Sequence, residues 1–68
     1  MIRLSKVQEA ALATIRAAGE VRVGTRALAK GTADRLAFFG LVEHRIEGGE
    51  QVVRITSKGE RWRAGADA

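Results

Sequence analysis

One histidine, His44, eight carboxylate side chains and no cysteine are all that this 68-residue sequence offers for acid–base, nucleophilic or metal chemistry. A zinc site needs several nitrogen or sulfur ligands, and a catalytic base needs a nucleophile or carboxylate positioned with it. His44 stands alone in an alternating stretch, and Asp34 and the glutamates show no paired spacing that would set up acid–base work. No glycine run has the spacing of a phosphate-binding loop. The sequence therefore predicts no enzyme, no metal and no cofactor, with His44 packed inside a hairpin. Trp62 is expected as a core anchor, because Phe38 and Phe39 are too few companions to make a base-stacking surface for single strands.

What remains is charge. Twelve Lys and Arg against eight Asp and Glu give a formal net charge of +4, which favours an anionic partner, nucleic acid first. No segment approaches the ~20 apolar residues of a membrane span, and Met1 to Lys6 lacks the apolar run of a signal peptide. The expectation is a cytoplasmic protein with no membrane partner, nucleoid-associated if it binds DNA. A hydrophobic fraction of 46% fits a folded chain, read as one domain over residues 1–68 with 1–4 and 65–68 frayed.

The elements that must position the charges are punctuated by glycine. Ser5 and Gln8 have the spacing of a capping box and open a helix that Gly19 ends. Val7, Ala11, Thr14, Ile15 and Ala18 form its expected apolar face, with Glu9, Ala13 and Arg16 opposite. Glu20 to Val23 alternates as a short strand with Arg22 facing water. Thr25 to Phe39 reads as one bent helix or two short ones, since Gly31-Thr32 interrupts it and Thr25 and Thr32 are both candidate caps. Leu28, Thr32, Leu36 and Phe39 fall on one side, and Arg26, Lys30, Ala33 and Ala37 on the other. Leu41–Ile46 and Gln51–Thr56 flank Glu47-Gly48-Gly49-Glu50 as a hairpin. Its register sets Val42, His44 and Ile46 inward, opposite Ile55, Val53 and Gln51, and Glu43 outward against Arg54. Like charges on Glu47 and Glu50 predict a loose tip. Thr56 to Ala64 is a short closing helix that folds Trp62 back on the core. The fold class is α+β: helix, short strand, helix or helix pair, hairpin, short helix.

Leu36-Ala37-Phe38-Phe39-Gly40-Leu41-Val42-Glu43-His44-Arg45 resembles the end of a recognition helix running into the first wing strand of the winged helix-turn-helix superfamily, as in MarR-like and PadR-like regulators. Val53-Arg54-Ile55-Thr56-Ser57-Lys58-Gly59-Glu60-Arg61 is similar to the second wing strand and the start of the closing helix. Ser5 to Gly19 resembles the first helix. Between Gly19 and Gly40 the helix-turn-helix is abbreviated, so that Thr32 to Phe39 stands as a short recognition helix.

The resemblance implies a small winged helix that binds double-stranded DNA, as a bacterial or phage transcription regulator or an architectural factor. Arg26, Lys30, Thr32 and Arg35 are then the recognition candidates, with Ala33 and Ala37 small enough to let DNA approach. Arg45 and Arg54 are candidate phosphate contacts at the base of the wing, whose acidic tip does not suit the minor groove. Arg3, Lys6, Lys58, Arg61 and Arg63 either add a second phosphate-contacting patch or keep the chain soluble. A monomer or weak homodimer is expected, with Phe38, off the apolar stripe, as a candidate dimer contact. The alternative is a protein-interaction module, for example a phage protein that targets a host factor.

Overall fold

The computed structural model describes residues 3–26 and 28–63. Helix α1 (Lys6–Ala18) starts at the Ser5 capping box: the Gln8 amide donates to Ser5 Oγ at 3.2 Å, and the Ser5 amide donates to Gln8 Oε1 at 2.9 Å. Gly19 closes it with an amide bond back to the Ile15 carbonyl. The buried face is Ala11, Leu12 and Ile15. Val7, expected on that face, is 68% exposed, and Ala18 also lies outside. The helix carries small or apolar residues nearly all round, so periodicity alone placed the stripe about a quarter-turn off. Arg16, expected opposite the apolar face, is half-buried and reaches across to the carbonyls of Gly59 and Trp62.

Strand β1 (Glu20–Arg22) enters the sheet with Arg22 outward. Gly24, Thr25 and Leu28 are then tied by turn hydrogen bonds, and Gly24 to Arg26 are not helical. The Gly24 amide bonds the Leu28 carbonyl, the Leu28 amide bonds Thr25 O, and the Thr25 hydroxyl donates to Arg22 O. Thr25 is therefore not a helix cap; the turn delivers Leu28 into the core.

Neither one bent helix nor two follows, but one short helix, α2 (Lys30–Phe38), in which Gly31 and Thr32 sit in the first turn. Ala29 occupies its N-cap without a side-chain bond. A start at residue 30 rotates the predicted faces: Ala33 is fully buried with Leu36, and Ala37 is half-buried. Ala33 is thus withdrawn into the core, and Ala37 packs against its edge. At the far end Gly40, at φ 79°, takes the left-handed conformation that a Cβ opposes. The Leu41 amide bonds Leu36 O and the Gly40 amide bonds Ala37 O, the paired closure of a Schellman motif.

Leu41 and Val42 then turn inward, and β2 (Val42–Glu47) pairs antiparallel with β3 (Glu50–Ile55). The observed register is the predicted one: Val42 opposite Ile55, Glu43 opposite Arg54, His44 opposite Val53 and Ile46 opposite Gln51. The strands run further than expected, to Glu47 opposite Glu50, leaving Gly48 and Gly49 as a two-residue turn with both φ angles positive. On the β3 side of the tip Glu50 meets Arg22 Nε at 2.8 Å, an exposed ion pair. The sheet order is β1-β3-β2.

Helices α1 and α2 pack against each other and against the sheet. The core between the layers is Leu12, Ile15, Leu28, Leu36, Leu41 and Val53, with Ala11, Ala33 and Val42. Helix α3 (Ser57–Arg61) closes the fold. The Thr56 hydroxyl accepts from the Gly59 amide and donates to Gly40 O, tying the start of α3 to the end of α2. Arg16 Nη2 donates to the carbonyls of Gly59 (2.9 Å) and Trp62 (2.8 Å), holding the end of α3 on α1. Trp62 packs half-buried against the core, as expected. The arrangement is a small α+β fold, winged-helix-like in element order. No helix among the described residues is long and apolar enough to cross a membrane.

Candidate nucleic-acid interface

Helix α2 buries Ala33 and Leu36 and leaves the opposite half exposed. At ~100° per residue, that half carries Lys30 and Asp34 toward the hairpin, Gly31, Arg35 and Phe38 in the middle, and Thr32 toward α1. Three of the predicted site residues therefore share one band. Arg35 and Thr32 contribute unequally: Arg35 is exposed, with its guanidinium 6.0 Å from the Phe38 ring centre, whereas Thr32 is half-buried.

Two grooves flank the band. On the hairpin side an open groove of about 300 Å³ is lined by Lys30, Asp34, His44, Arg45, Ile46 and Gln51. Lys30, at the first position of α2, and Arg45, in the middle of β2, both border it, with Arg45 on the edge strand and its side chain on the outer face by register. His44 Nε2 lies 3.4 Å from Asp34 Oδ1, joining the two walls. This corrects the packed-hairpin expectation for His44. Its backbone faces inward, but the α2 edge stops short of covering it, and the ring is left at the surface. Lys30 also borders a second recess with Arg22 and Gln51, although Arg22 is engaged by Glu50.

On the α1 side, Arg26 and Thr32 line a groove of about 440 Å³ with Val7, Ala10, Ala11 and Thr14. Arg26 and Arg45 thus stand on opposite flanks of the same helix. Arg54 lies apart, on the outer face of the sheet. Its Nε is 3.8 Å from Glu20, with Glu43 across from it in register. The expected Glu43 pairing gives way to Glu20, and Arg54 is the most neutralised of the six candidates.

Sequence reasoning did not single out Gln51 or the Asp34–His44 pair as site residues. Gln51 follows from the hairpin register combined with the true start of α2. The pair depends on the distance between helix and strand, which no local pattern encodes. Among the described residues no group of three or more His, Asp or Glu is placed to hold a metal ion. Comparison of the chain with known protein families, curated proteins and solved structures finds no match.

Proposed function

We propose that the chain is a double-stranded DNA-binding module of the winged helix-turn-helix type, a small regulator or architectural factor of a bacterium or phage that works in the cytoplasm on the nucleoid, without catalysis or a cofactor. The supporting observation is the exposed half of α2, with Lys30 and Arg35 on it, flanked by Arg45 on the hairpin and Arg26 on the turn before the helix. An α-helix with its side chains is ~10–12 Å across, a thickness that a major groove ~12 Å wide admits, and nine residues extend ~13 Å along it. In this reading α2 meets base edges through Arg35 and Thr32. Lys30, Arg45 and Arg26 grip phosphates on either side, and Arg54 adds little.

Phosphate contacts release counterions, so binding falls with salt by roughly 0.9 log units per contact per log unit of salt. Fluorescence anisotropy with a random duplex at several salt concentrations tests this. Lys30→Ala/Arg45→Ala should weaken binding and reduce the slope by ~2. Absence of binding at low salt, or binding indifferent to salt, would remove the proposal.

One observation favours the second reading, a protein-interaction module: Phe38 is 78% exposed in the centre of the α2 band. DNA binding that survives Phe38→Ser keeps the first reading. A duplex-independent protein partner lost with the same change would favour the second.

A further inference from the structure

Strand β2 is an edge of the sheet, and its charges are arranged in an unusual way. On the outer face, acid and base alternate across the strands from Glu20 through Arg54 to Glu43. Arg54 is engaged by Glu20 and Arg22 by Glu50. That leaves Glu43 and Arg45, two apart on the free edge strand, without an ion-pair partner among the described residues. On the inner face the same strand ends in Ile46, which is 66% exposed.

The ladder tells which backbone groups are free. The Ile55 amide bonds Gly19 O, and Gln51 O accepts from Val23, so residues 51, 53 and 55 turn their hydrogen-bonding groups toward β1. By antiparallel alternation, residues 50, 52 and 54 bond β2 through Glu47, Arg45 and Glu43. The amides and carbonyls of Val42, His44 and Ile46 therefore point away from the sheet.

We propose that this edge pairs with the β2 edge of a second copy of the chain, antiparallel, about a two-fold axis through His44. The free groups of Val42 and Ile46 then bond those of Ile46 and Val42 in the other copy, and His44 bonds its counterpart. Glu43 of each chain meets Arg45 of the other, twice, in the closer non-hydrogen-bonded positions. Ile46 comes to lie beside Val42 of the other copy. The contact is isologous, as a closed dimer requires. Charge selects the register: a two-residue step of either chain along the other, the smallest that keeps the free backbone groups paired, puts Arg45 opposite Arg45 and Glu43 opposite Glu47, or Glu43 opposite Glu43. Charges on an edge strand discourage indiscriminate pairing, and here their order leaves self-pairing favourable.

The contact is short, so the dimer is weak and forms toward the upper end of accessible concentrations. Arg45 is shared with the proposed phosphate grip, so dimerisation and DNA binding weaken each other; sedimentation without DNA tests the edge alone. The experiment is sedimentation equilibrium up to ~1 mM, a concentration that detects affinities of that order, with circular dichroism to confirm folding. Wild type should show a reversible monomer–dimer equilibrium. Arg45→Glu and Glu43→Arg, each folded, should raise the dissociation constant tenfold or more. An equimolar mixture of the two variants should regain the dimer, since each supplies the charge the other needs. A wild type that stays monomeric overturns the proposal. So does a dimer indifferent to both reversals, or a mixture that fails to reassociate.

Discussion

Replacing Gly59 with alanine should destabilise the protein, although the general rule for a helical glycine predicts the opposite. Gly59 lies in α3 with ordinary negative φ, where alanine is favoured by ~1 kcal/mol. The space around it reverses the sign. A Cβ there would stand 2.6 Å from Ile55 Cδ1 and 3.0 Å from the Leu41 carbonyl carbon, and nearer still to the Leu41 oxygen. That oxygen is fixed, because it accepts the Thr56 amide at 3.2 Å. Helix α3 must retreat by roughly 1 Å, at an overpacking cost of ~1–3 kcal/mol. The retreat also strains the Thr56–Leu41 and Arg16–Gly59 hydrogen bonds, each worth ~1 kcal/mol. The net loss is ~2–4 kcal/mol, a large share of the ~3–10 kcal/mol expected for a chain of this size. Urea unfolding followed by Trp62 fluorescence and by circular dichroism measures it. With a slope of ~1 kcal/mol per molar, the midpoint should fall by ~2 M or more. Gly31→Ala is the control: Gly31 is helical in α2 with nothing within 4 Å of a Cβ, and should be neutral or stabilising by up to ~1 kcal/mol. A Gly59→Ala protein as stable as wild type would refute the packing argument.

Other outcomes are expected from the same contacts. Leu12→Ala, in the core but absent from the predicted apolar stripe, should cost ~3 kcal/mol in urea unfolding, as buried leucine truncations do. Ser5→Ala removes half of the capping box and should cost ~1 kcal/mol, read as a lower thermal midpoint. Arg16→Met keeps the stem but loses both bonds to α3; a loss of ~1.5–3 kcal/mol is expected, within the range for charged hydrogen bonds. Asp34→Asn removes the one acid on the α2 band and, under the DNA proposal, should tighten duplex binding several-fold at low salt; unchanged anisotropy would place the DNA elsewhere.

Sequence legibility followed locality. The capping box of α1, the Gly40 stop and the hairpin register are written in residues a few positions apart, and each was found where the pattern placed it. Helix α2 was harder. Its true N-cap, Ala29, makes no side-chain bond, whereas Thr25 offered a cap signal and spends its hydroxyl on Arg22 O. Counting Leu28, which precedes α2, into the helical stripe turned Ala33 outward and hid its place in the core. Alanine gives no help here, since it suits either face. The candidate site suffered from the same error: Lys30 and Arg45 share a groove only because α2 begins at Lys30 beside β2. The link from Arg16 to α3 had no sequence signal, because an arginine opposite a mixed apolar face reads as solvated.

That link also bears on how the chain comes into being. The two hydrogen bonds from Arg16 bridge sequence separations of 43 and 46 residues, and β1, made early, pairs with β3. During synthesis α1 and β1 wait on the ribosome with their core faces uncovered until β3 and α3 have followed them out. Long-range closure of this kind is slow relative to local helix formation. A chain that stops before Trp62 lacks the Arg16–Trp62 bond, and apolar surface left uncovered in this way is what chaperones and proteases read.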